Sequence, residues 1–343
     1  MNMKIDFVLP WVDSQDPEWQ KLRQQHAKNQ SLSDANSSAR FRDSGTLKYV
    51  LRSIEKNCPW YNKIYLITCG HYPKWLDLSS SRIELVSHSD IYDNINHLPV
   101  FNSNSIEMNL SNIKELSEHF VYLNDDTVIF SEIDKERFFI NGKPVDFLCH
   151  GWIPRNKFWG MIKHVDSWVS ALNNNIRLIN NYFNPLELND FFLYHESYST
   201  LNKISNFMMK NIYKKYFWFE HWHHPISYLK STLIEVKENC FDEMQCCSMN
   251  KFRNSSDLTP YLYRYWRLAK GDFYPYKYND GFETNITSIN ILHKAIQYCN
   301  KLNPSFVCLN DSPALSDDEY TKVKMEMLEF FDKRFPKKAS FEL

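Results

Sequence analysis

Glycine is scarce, with seven in 343 residues, and neither G-x-x-x-x-G-K-[ST] nor G-x-G-x-x-G occurs. A phosphate bound here must be held by metal, arginine or helix ends, because no glycine loop exists to cradle it. Charge of one sign is missing too. A formal net charge of −1 gives no basic field for nucleic acid, and no nucleic-acid partner is expected. The eight cysteines contain no C-x-x-C pair, so reduced cytosolic thiols are expected, not a disulfide scaffold. No long uncharged apolar run reaches membrane-spanning length, and MNMKIDFVLPWVD meets Asp6 too early for a signal peptide. Aromatics are plentiful at 16%, which suits stacking on sugars or bases and equally suits a Tyr/Phe-rich core.

The stretch HFVYLNDDTVIF (His119 to Phe130) organises the rest. Phe120 to Leu123 reads as a buried strand, and Asn124, Asp125 and Asp126 follow at once. Adjacent carboxylates after a buried strand repel unless a cation or strong donors lie nearby. Strand ends are where open α/β sheets bind ligands. A Mg²⁺ or Mn²⁺ on these acids, bridging to a diphosphate, is one reading; a simple turn or cap is the other.

Earlier in the chain, Ile5 to Leu9 reads as a first strand ended by Pro10 and Asp13. Ser14 to Ala39 is polar and partly helical, a candidate flap. Asp43-Ser44 are placed to cap a helix carrying Leu47, Val50, Leu51 and Ile54, stopped by Pro59. Lys63 to Thr68 and Arg82 to Ser87 are strands, and Ser103 to Ser117 a helix with Ile106, Leu110 and Ile113 on one face. The order strand, helix, strand, strand, helix, strand predicts an α/β fold with a mostly parallel sheet whose strands share one polar edge. Val145 to Cys149 is a further strand. Lys163 to Tyr216 is Asn-rich and helical, an insertion or lid. The spacing then predicts helices over Ile226 to Val236 and Asp257 to Lys270, and a strand over Phe306 to Leu309. A last helix starts at Ser316 and carries Tyr320, Val323, Met327, Leu328 and Phe331. Lys333 to Lys338 is expected as a solvated end with a weak attraction to anionic lipid. The expected division is a nucleotide-sugar-binding core (1–150), a helical insertion (151–219) and a block that completes the core (220–343).

Several clusters carry chemistry. Arg40 and Arg42 precede a helix start, a poor place for guanidinium groups unless an anion lies between, although a salt-bridged loop also explains them. EHWHHP crowds His221, His223 and His224. It lacks the spacing of a zinc site, but any of its imidazoles could take a proton from a sugar hydroxyl, and surface histidines in a turn are the plain alternative. Arg253 precedes Ser255-Ser256-Asp257 and could fork onto a phosphate. Asn310-Asp311 repeats the Asn-Asp signature at another strand end, in the same sheet on this reading.

IDFVLPWVD, RFRDSGTLKYVLRSIEKNCPWYNKIYLITCG through NSNSIEMNLSNIKELSEHFVYLNDD, EHWHHPISYLKST through NKFRNSSDLTPYLYRYW, and FVCLND occur in that order. Together they resemble the four blocks of the Stealth family of sugar-1-phosphate transferases. That resemblance implies a sheet similar to the nucleotide-binding core of GT-A glycosyltransferases. It places the essential acid of the family's N-D-D element on Asp126, beside Asn124 and Asp125, and the Glu of N-S-x-x-I-E on Glu107. It puts the first His of H-x-x-H on His221, the Arg of the third block on Arg253 and the last acid on Asp311. Leu9-Pro10 stands where relatives carry Tyr-Thr. His223 stands where Pro is common, which leaves His221 and His224 both open as the base.

The resemblance implies an enzyme of capsular or surface polysaccharide synthesis. It would move a hexose- or N-acetylhexosamine-1-phosphate from a nucleotide-diphospho-sugar, UDP-GlcNAc being one such donor, to a glycan hydroxyl, releasing UMP. Mg²⁺ would sit on Asp126 with Asp125 or Asp311, while Asp13, Arg42, Asp43, Glu107, Asn124 and His224 contact donor or acceptor. The enzyme is expected in the cytoplasm, peripheral to the membrane capsule machinery. A metal-dependent GT-A glycosyltransferase releasing UDP would share the acids and the sheet. A non-catalytic carbohydrate-binding module would explain the aromatics but not the acids.

Overall fold

The computed structural model describes residues 3–27, 44–151 and 167–343. Its strands are β1 (Ile5–Pro10), β2 (Ile64–Thr68), β3 (Ile83–Ser87), β4 (His119–Tyr122), β5 (Thr127–Ile129), β6 (Phe139–Ile140), β7 (Lys143–Asp146), β8 (Ile226–Leu229), β9 (Tyr274–Pro275), β10 (Gly281–Asn285) and β11 (Phe306–Asn310). The main sheet has the order β3-β2-β1-β4-β8. β3, β2, β1 and β4 run parallel and β8 closes the edge antiparallel to β4. The α/β class with a mostly parallel sheet is therefore the fold the chain adopts.

The unbroken apolar runs of β1 and β2 reflect burial on both faces. Ile5, Phe7 and Leu9 point into one core with Leu47, Val50, Ile54, Val323, Met327 and Phe331. Val8 points into the other, with Leu172, Ile176, Ile179 and Tyr263. The helix Ser167–Tyr182 thus packs on the sheet itself. Asp6, the one acid of β1, is buried and satisfied, accepting from Asn62 Nδ2 and the Ser117 N–H at 2.7 Å each.

β1 lies between β2 and β4, so the chain leaves it toward one side and returns on the other. The ends of β1 and β4 therefore flank a topological switch point, where such sheets bind ligands. Asn124 to Asp126 occupy that place. They also lead from the main sheet into a second one, because β5 follows at once and pairs antiparallel with β11 in the order β10-β11-β5. The two Asn-Asp ends thus belong to different sheets, not to one. Pairing of Cys308 with Thr127 nonetheless brings them together.

Three expected elements differ. Ile226–Leu229 is a strand, and the helix starts only at Lys230. Four residues after a proline, apolar but for Ser227, are too few to show a period, and the open edge of β4 decides their state. The helix at Ser103 stops at Glu107, and a 3₁₀ turn covers Leu110–Asn112. Asn109 donates to the Ser105 carbonyl at 2.9 Å, taking an acceptor that the helix would have used. The lysine-rich end is solvated as expected at Lys333, Lys337 and Lys338, on a segment that folds back: after the helix Asp317–Arg334, Phe335 and Phe341 are buried, and Glu342 is salt-bridged to Arg52 at 2.6 Å. The helix Leu47–Asn57 begins after Thr46, with no side-chain cap from Ser44. Arg42 and Asp43 lie outside the described residues.

A buried ionic cluster ties the loop after residue 219 to the sheets. Asp146, at the end of β7, receives Arg264 Nη2 at 2.7 Å and Nε at 2.9 Å, and Arg267 as well. Arg264 Nη1 also donates to the Glu220 carbonyl at 2.9 Å, and Arg267 donates to the carbonyl of Ser227. Burial alone would raise the Asp146 pKa, but the two guanidinium groups hold it far below the carboxylate range. Asp146→Asn should cost about 3–5 kcal/mol, because it leaves two buried guanidinium groups without a counter-charge. A urea midpoint shift at unchanged slope would report it; a loss under about 1 kcal/mol would show that water replaces the carboxylate.

Candidate active site

Asp126 is the centre of the switch-point loop. Its Oδ1 lies 3.4 Å from His223 Nε2 and accepts from Thr127 Oγ1 at 3.1 Å. Burial opposes its charge, but His223 and Thr127 outweigh that and lower its pKa. The same His223 Nε2 lies 3.1 Å from the Asn124 amide nitrogen, while its backbone N–H donates to Glu283 Oε2 on β10 at 2.9 Å. Burial pulls the His223 pKa down and Asp126 pushes it up; the net direction is upward. Two groups thus compete for one ring nitrogen. Asn124 donates to it when it is bare, and Asp126 accepts from it when it carries a proton.

Asn124 extends this contact into the core. Its Oδ1 accepts from Tyr122 OH at 3.2 Å, and the same hydroxyl makes a very short bond to Glu107. Burial raises the Glu107 pKa to about 7, against the opposing pull of Tyr122 and Arg253. Arg253 Nη2 donates to Ser103 Oγ at 3.3 Å, on the short helix Ser103–Glu107. Its loop is pinned by Asp257, which accepts from Asn250 Nδ2 (2.7 Å), Asn102 Nδ2 (2.9 Å), the Asn254 N–H (3.0 Å) and Asn104 Nδ2 (3.2 Å). The Asn-rich NSNSIE segment is therefore a mould for that carboxylate.

The other expected residues divide. Asp311 follows β11, its Oδ1 accepting from the Ser312 N–H at 2.7 Å. Asp125 uses its carbonyl to accept from Thr46 Oγ1 at 2.7 Å, fixing the loop to the helix Leu47–Asn57. Asp13, past the end of β1, accepts from the Gln15 N–H at 2.9 Å, and its own N–H donates to His71 Nε2 at 2.8 Å. His221 sits among the rings of Trp168, Trp218 and Tyr261, with Nδ1 3.2 Å from the Phe219 carbonyl. His224 donates Nδ1–H to the Pro225 carbonyl at 2.9 Å. Burial, aided by Arg137, pushes its pKa down to about 4. It faces a small recess of about 20 Å³, room for a water, lined by Arg137, Trp222, Arg264, Tyr276 and Tyr278 among others. Of the three histidines, His223 is therefore the one joined to Asp126. Its place in the middle of EHWHHP gave no spacing signal to single it out, and Tyr122 and Asp257 read as strand and cap residues.

The metal-binding atoms of Asp126, His223 and Cys308 lie within 4.8 Å of one another. Burial holds the Cys308 thiol well above its ordinary pKa, and the nearby Asp126 adds to this, so the sulfur keeps its proton. Of this group Asp126 offers oxygen and His223 nitrogen, and oxygen is the donor that Mg²⁺ or Mn²⁺ prefers.

Family models described as Stealth protein conserved regions 1, 2 and 4 match residues 3–29, 40–146 and 300–343. Capsular polysaccharide phosphotransferase WcwK of Streptococcus pneumoniae is 36% identical, with 99% of each chain covered. Exopolysaccharide phosphotransferase cps2G of Lactiplantibacillus plantarum is 32% identical, covering 98% of this chain and 96% of its own. Receptor polysaccharide phosphotransferase WefC of Streptococcus oralis is 30% identical, with 99% of each covered. Among solved structures, the galactosyltransferase LgtC with donor and acceptor sugar analogs is similar at a TM-score of 0.40, with 11% identity and 98% of each chain covered.

Glu107 supplies a pH signature. Its folded pKa lies above that of an unfolded glutamate, so the folded state binds the extra proton between about 4.3 and about 7. Its contribution to stability is full below that window and is lost as pH rises through it. Glu107→Gln, which keeps an acceptor for Tyr122, should flatten this decline in urea midpoints measured from pH 4 to pH 8. An unchanged slope would mean that Glu107 stays ionised.

Proposed function

The chain belongs to the Stealth family and is a phosphotransferase, and from that premise we propose that it transfers a sugar-1-phosphate from a nucleotide-diphospho-sugar to a glycan hydroxyl in capsular or exopolysaccharide synthesis. UDP-linked N-acetylhexosamine or hexose is the proposed donor. The observation that carries this reading is the contact of Asp126 with His223 at the switch point, a carboxylate and a base side by side where a diphosphate would lie.

In the proposed step the acceptor oxygen attacks the phosphorus that bears the sugar. The new O–P bond forms as the bond to the bridging oxygen breaks, and UMP leaves with that electron pair. The hydroxyl proton passes to His223 Nε2. This assignment replaces His221 and His224 as expected bases, because His221 is packed among indole and phenol rings and His224 turns toward the recess. Arg253 would hold non-bridging oxygens through the in-line displacement. Asp126, with Asp125 or Asp311, would hold Mg²⁺ or Mn²⁺, which offsets charge on the diphosphate when bound. Trp222, Tyr276 and Tyr278, which line the recess, would offer aromatic faces to an acceptor sugar approaching this side.

The released nucleotide tests the reaction directly. With a UDP-sugar panel and a glycan acceptor, UMP is expected; UDP would make the enzyme a glycosyltransferase instead. EDTA should stop turnover and Mg²⁺ or Mn²⁺ restore it. His223→Ala should lower kcat by roughly 10² to 10⁴, the usual worth of a positioned base. If His221→Ala or His224→Ala is as inactive while His223→Ala turns over normally, the base is misassigned. Arg253→Lys keeps the charge but loses the planar fork, so kcat should fall far more than donor KM rises. A raised KM with unchanged kcat would confine Arg253 to donor binding.

A further inference from the structure

The helix Thr200–Phe207, extended by a π-helical turn over Met208–Tyr213, is inside out. Its polar residues face the protein. Ser205 donates to the His150 carbonyl, and Asn206 donates to the carbonyls of Leu148 and Leu193 at 2.8 Å each. Asn206 also accepts from the His150 N–H at 2.9 Å. These buried bonds fix the rotation of the helix, so that Met209 turns into the core while most of its other apolar residues point outward. Leu201 is 66% exposed, Phe207 51% and Ile212 59%, with Ile204 and Tyr213 also exposed between and beyond them. Phe191, on the adjoining short helix Asp190–Leu193, is exposed as well. A surface helix normally shows the reverse pattern, and a contiguous apolar stripe of this kind marks an interaction site.

The charge around the stripe identifies the partner. Between Glu196 and Glu220 there is no acidic residue, but there are four lysines, Lys203, Lys210, Lys214 and Lys215. Lys210 is paired with Asp190 at 2.8 Å; Lys214 and Lys215 are exposed at the end of the stripe. The chain as a whole carries a net charge of −1, so this cationic rim is local. Exposed leucine, isoleucine and phenylalanine flanked by lysine form the surface of an interfacial helix that lies on anionic lipid. Among the described residues no helix is long and apolar enough to cross a membrane, so the contact would be with a bilayer face.

We propose that the Leu201–Ile204–Phe207–Ile212 stripe with its lysine rim docks the protein on an anionic phospholipid surface. The lysine-rich C-terminal end, also expected to attract anionic lipid, exposes Lys333, Lys337 and Lys338 but no apolar stripe beside them, because Phe335 and Phe341 are buried. Docking would reach the proposed acceptor side directly. Asn202, on the same helix, donates to Glu220 Oε2 at 3.2 Å, at the start of the histidine loop.

Flotation of the full chain with vesicles tests this. Binding is expected to vesicles of phosphatidylglycerol mixed with phosphatidylcholine, falling with added salt, and not to phosphatidylcholine alone. Lys214→Ala with Lys215→Ala should weaken binding on the order of thirty-fold, the worth of two lysines near a charged surface. Leu201→Ser, Ile204→Ser and Phe207→Ser together should abolish it, leaving thermal stability and turnover of soluble substrates unchanged because all three side chains are exposed. Lys337→Ala with Lys338→Ala should have no effect. The proposal fails if the wild type does not float, if neutral vesicles bind equally, or if binding follows Lys337 and Lys338. It also fails if the serine variant only splits a dimer in solution, which would make the stripe a contact between two copies.

Discussion

The position of the histidine loop rests on one buried carboxylate. Asp146 draws Arg264 and Arg267 into the core, and each guanidinium spends a further N–H on a loop carbonyl, Glu220 for one and Ser227 for the other. Both ends of EHWHHP are thereby fixed from beneath by a single ionic cluster. Buried ion pairs add little net stability compared with well-packed apolar side chains, since desolvation cancels most of the attraction. What they do supply is direction. An apolar replacement could fill the volume but could not hold two carbonyls, and His223 would lose its approach to Asp126.

A second constraint comes from topology. Asn124 to Asp126 form a connection so short that the chain must pass from the main sheet into β5 without leaving the switch point. Asn57 Nδ2 donates to the Ile129 carbonyl at 2.6 Å, and Ser53 Oγ accepts from the Ile129 N–H at 3.1 Å, so β5 is held by the helix Leu47–Asn57. The acids therefore sit on a span anchored at both ends. Such rigidity is what the proposed role of these carboxylates would require. β11 pairs with β5 as far as Cys308 and Thr127, which puts the Cys308 thiol near Asp126.

Elements whose burial is uniform were legible in the chain itself. β1, β2, β4 and β11 read as apolar runs with polar ends, and the last helix starts at Ser316 as expected, where a capping box with Glu319 forms. Legibility failed where a partner distant in sequence decides. Ile226–Leu229 becomes a strand because β4 has an open edge. The Ser103 helix is cut short because its asparagines serve Asp257 and Ser105. Asn141-Gly142 was a readable hairpin signal, and both residues take the positive φ that the tight turn between β6 and β7 needs. His223 could not be chosen among three histidines without coordinates. Nor could the inverted helix be seen, because Ser205 and Asn206 read as a polar face until their buried acceptors are known.

The polar residues at the switch point form a connected line, from Glu107 through Tyr122 and Asn124 to His223 and Asp126. Each member satisfies the next, which is how so many polar groups tolerate partial burial at the end of an apolar strand. Asn124 is the joint of this line. It is the residue that touches both the Tyr122 hydroxyl, in the core, and the His223 ring, at the surface. Shortening it would leave the Tyr122 hydroxyl to Glu107 and the His223 ring to the carboxylates of Asp126 and Glu283, with its proton more firmly held. Effects of substitutions along the line are thus coupled and not additive. Asn124, expected as a substrate contact from its place beside two acids, is thus also a structural link between the core hydroxyl and the His223 ring.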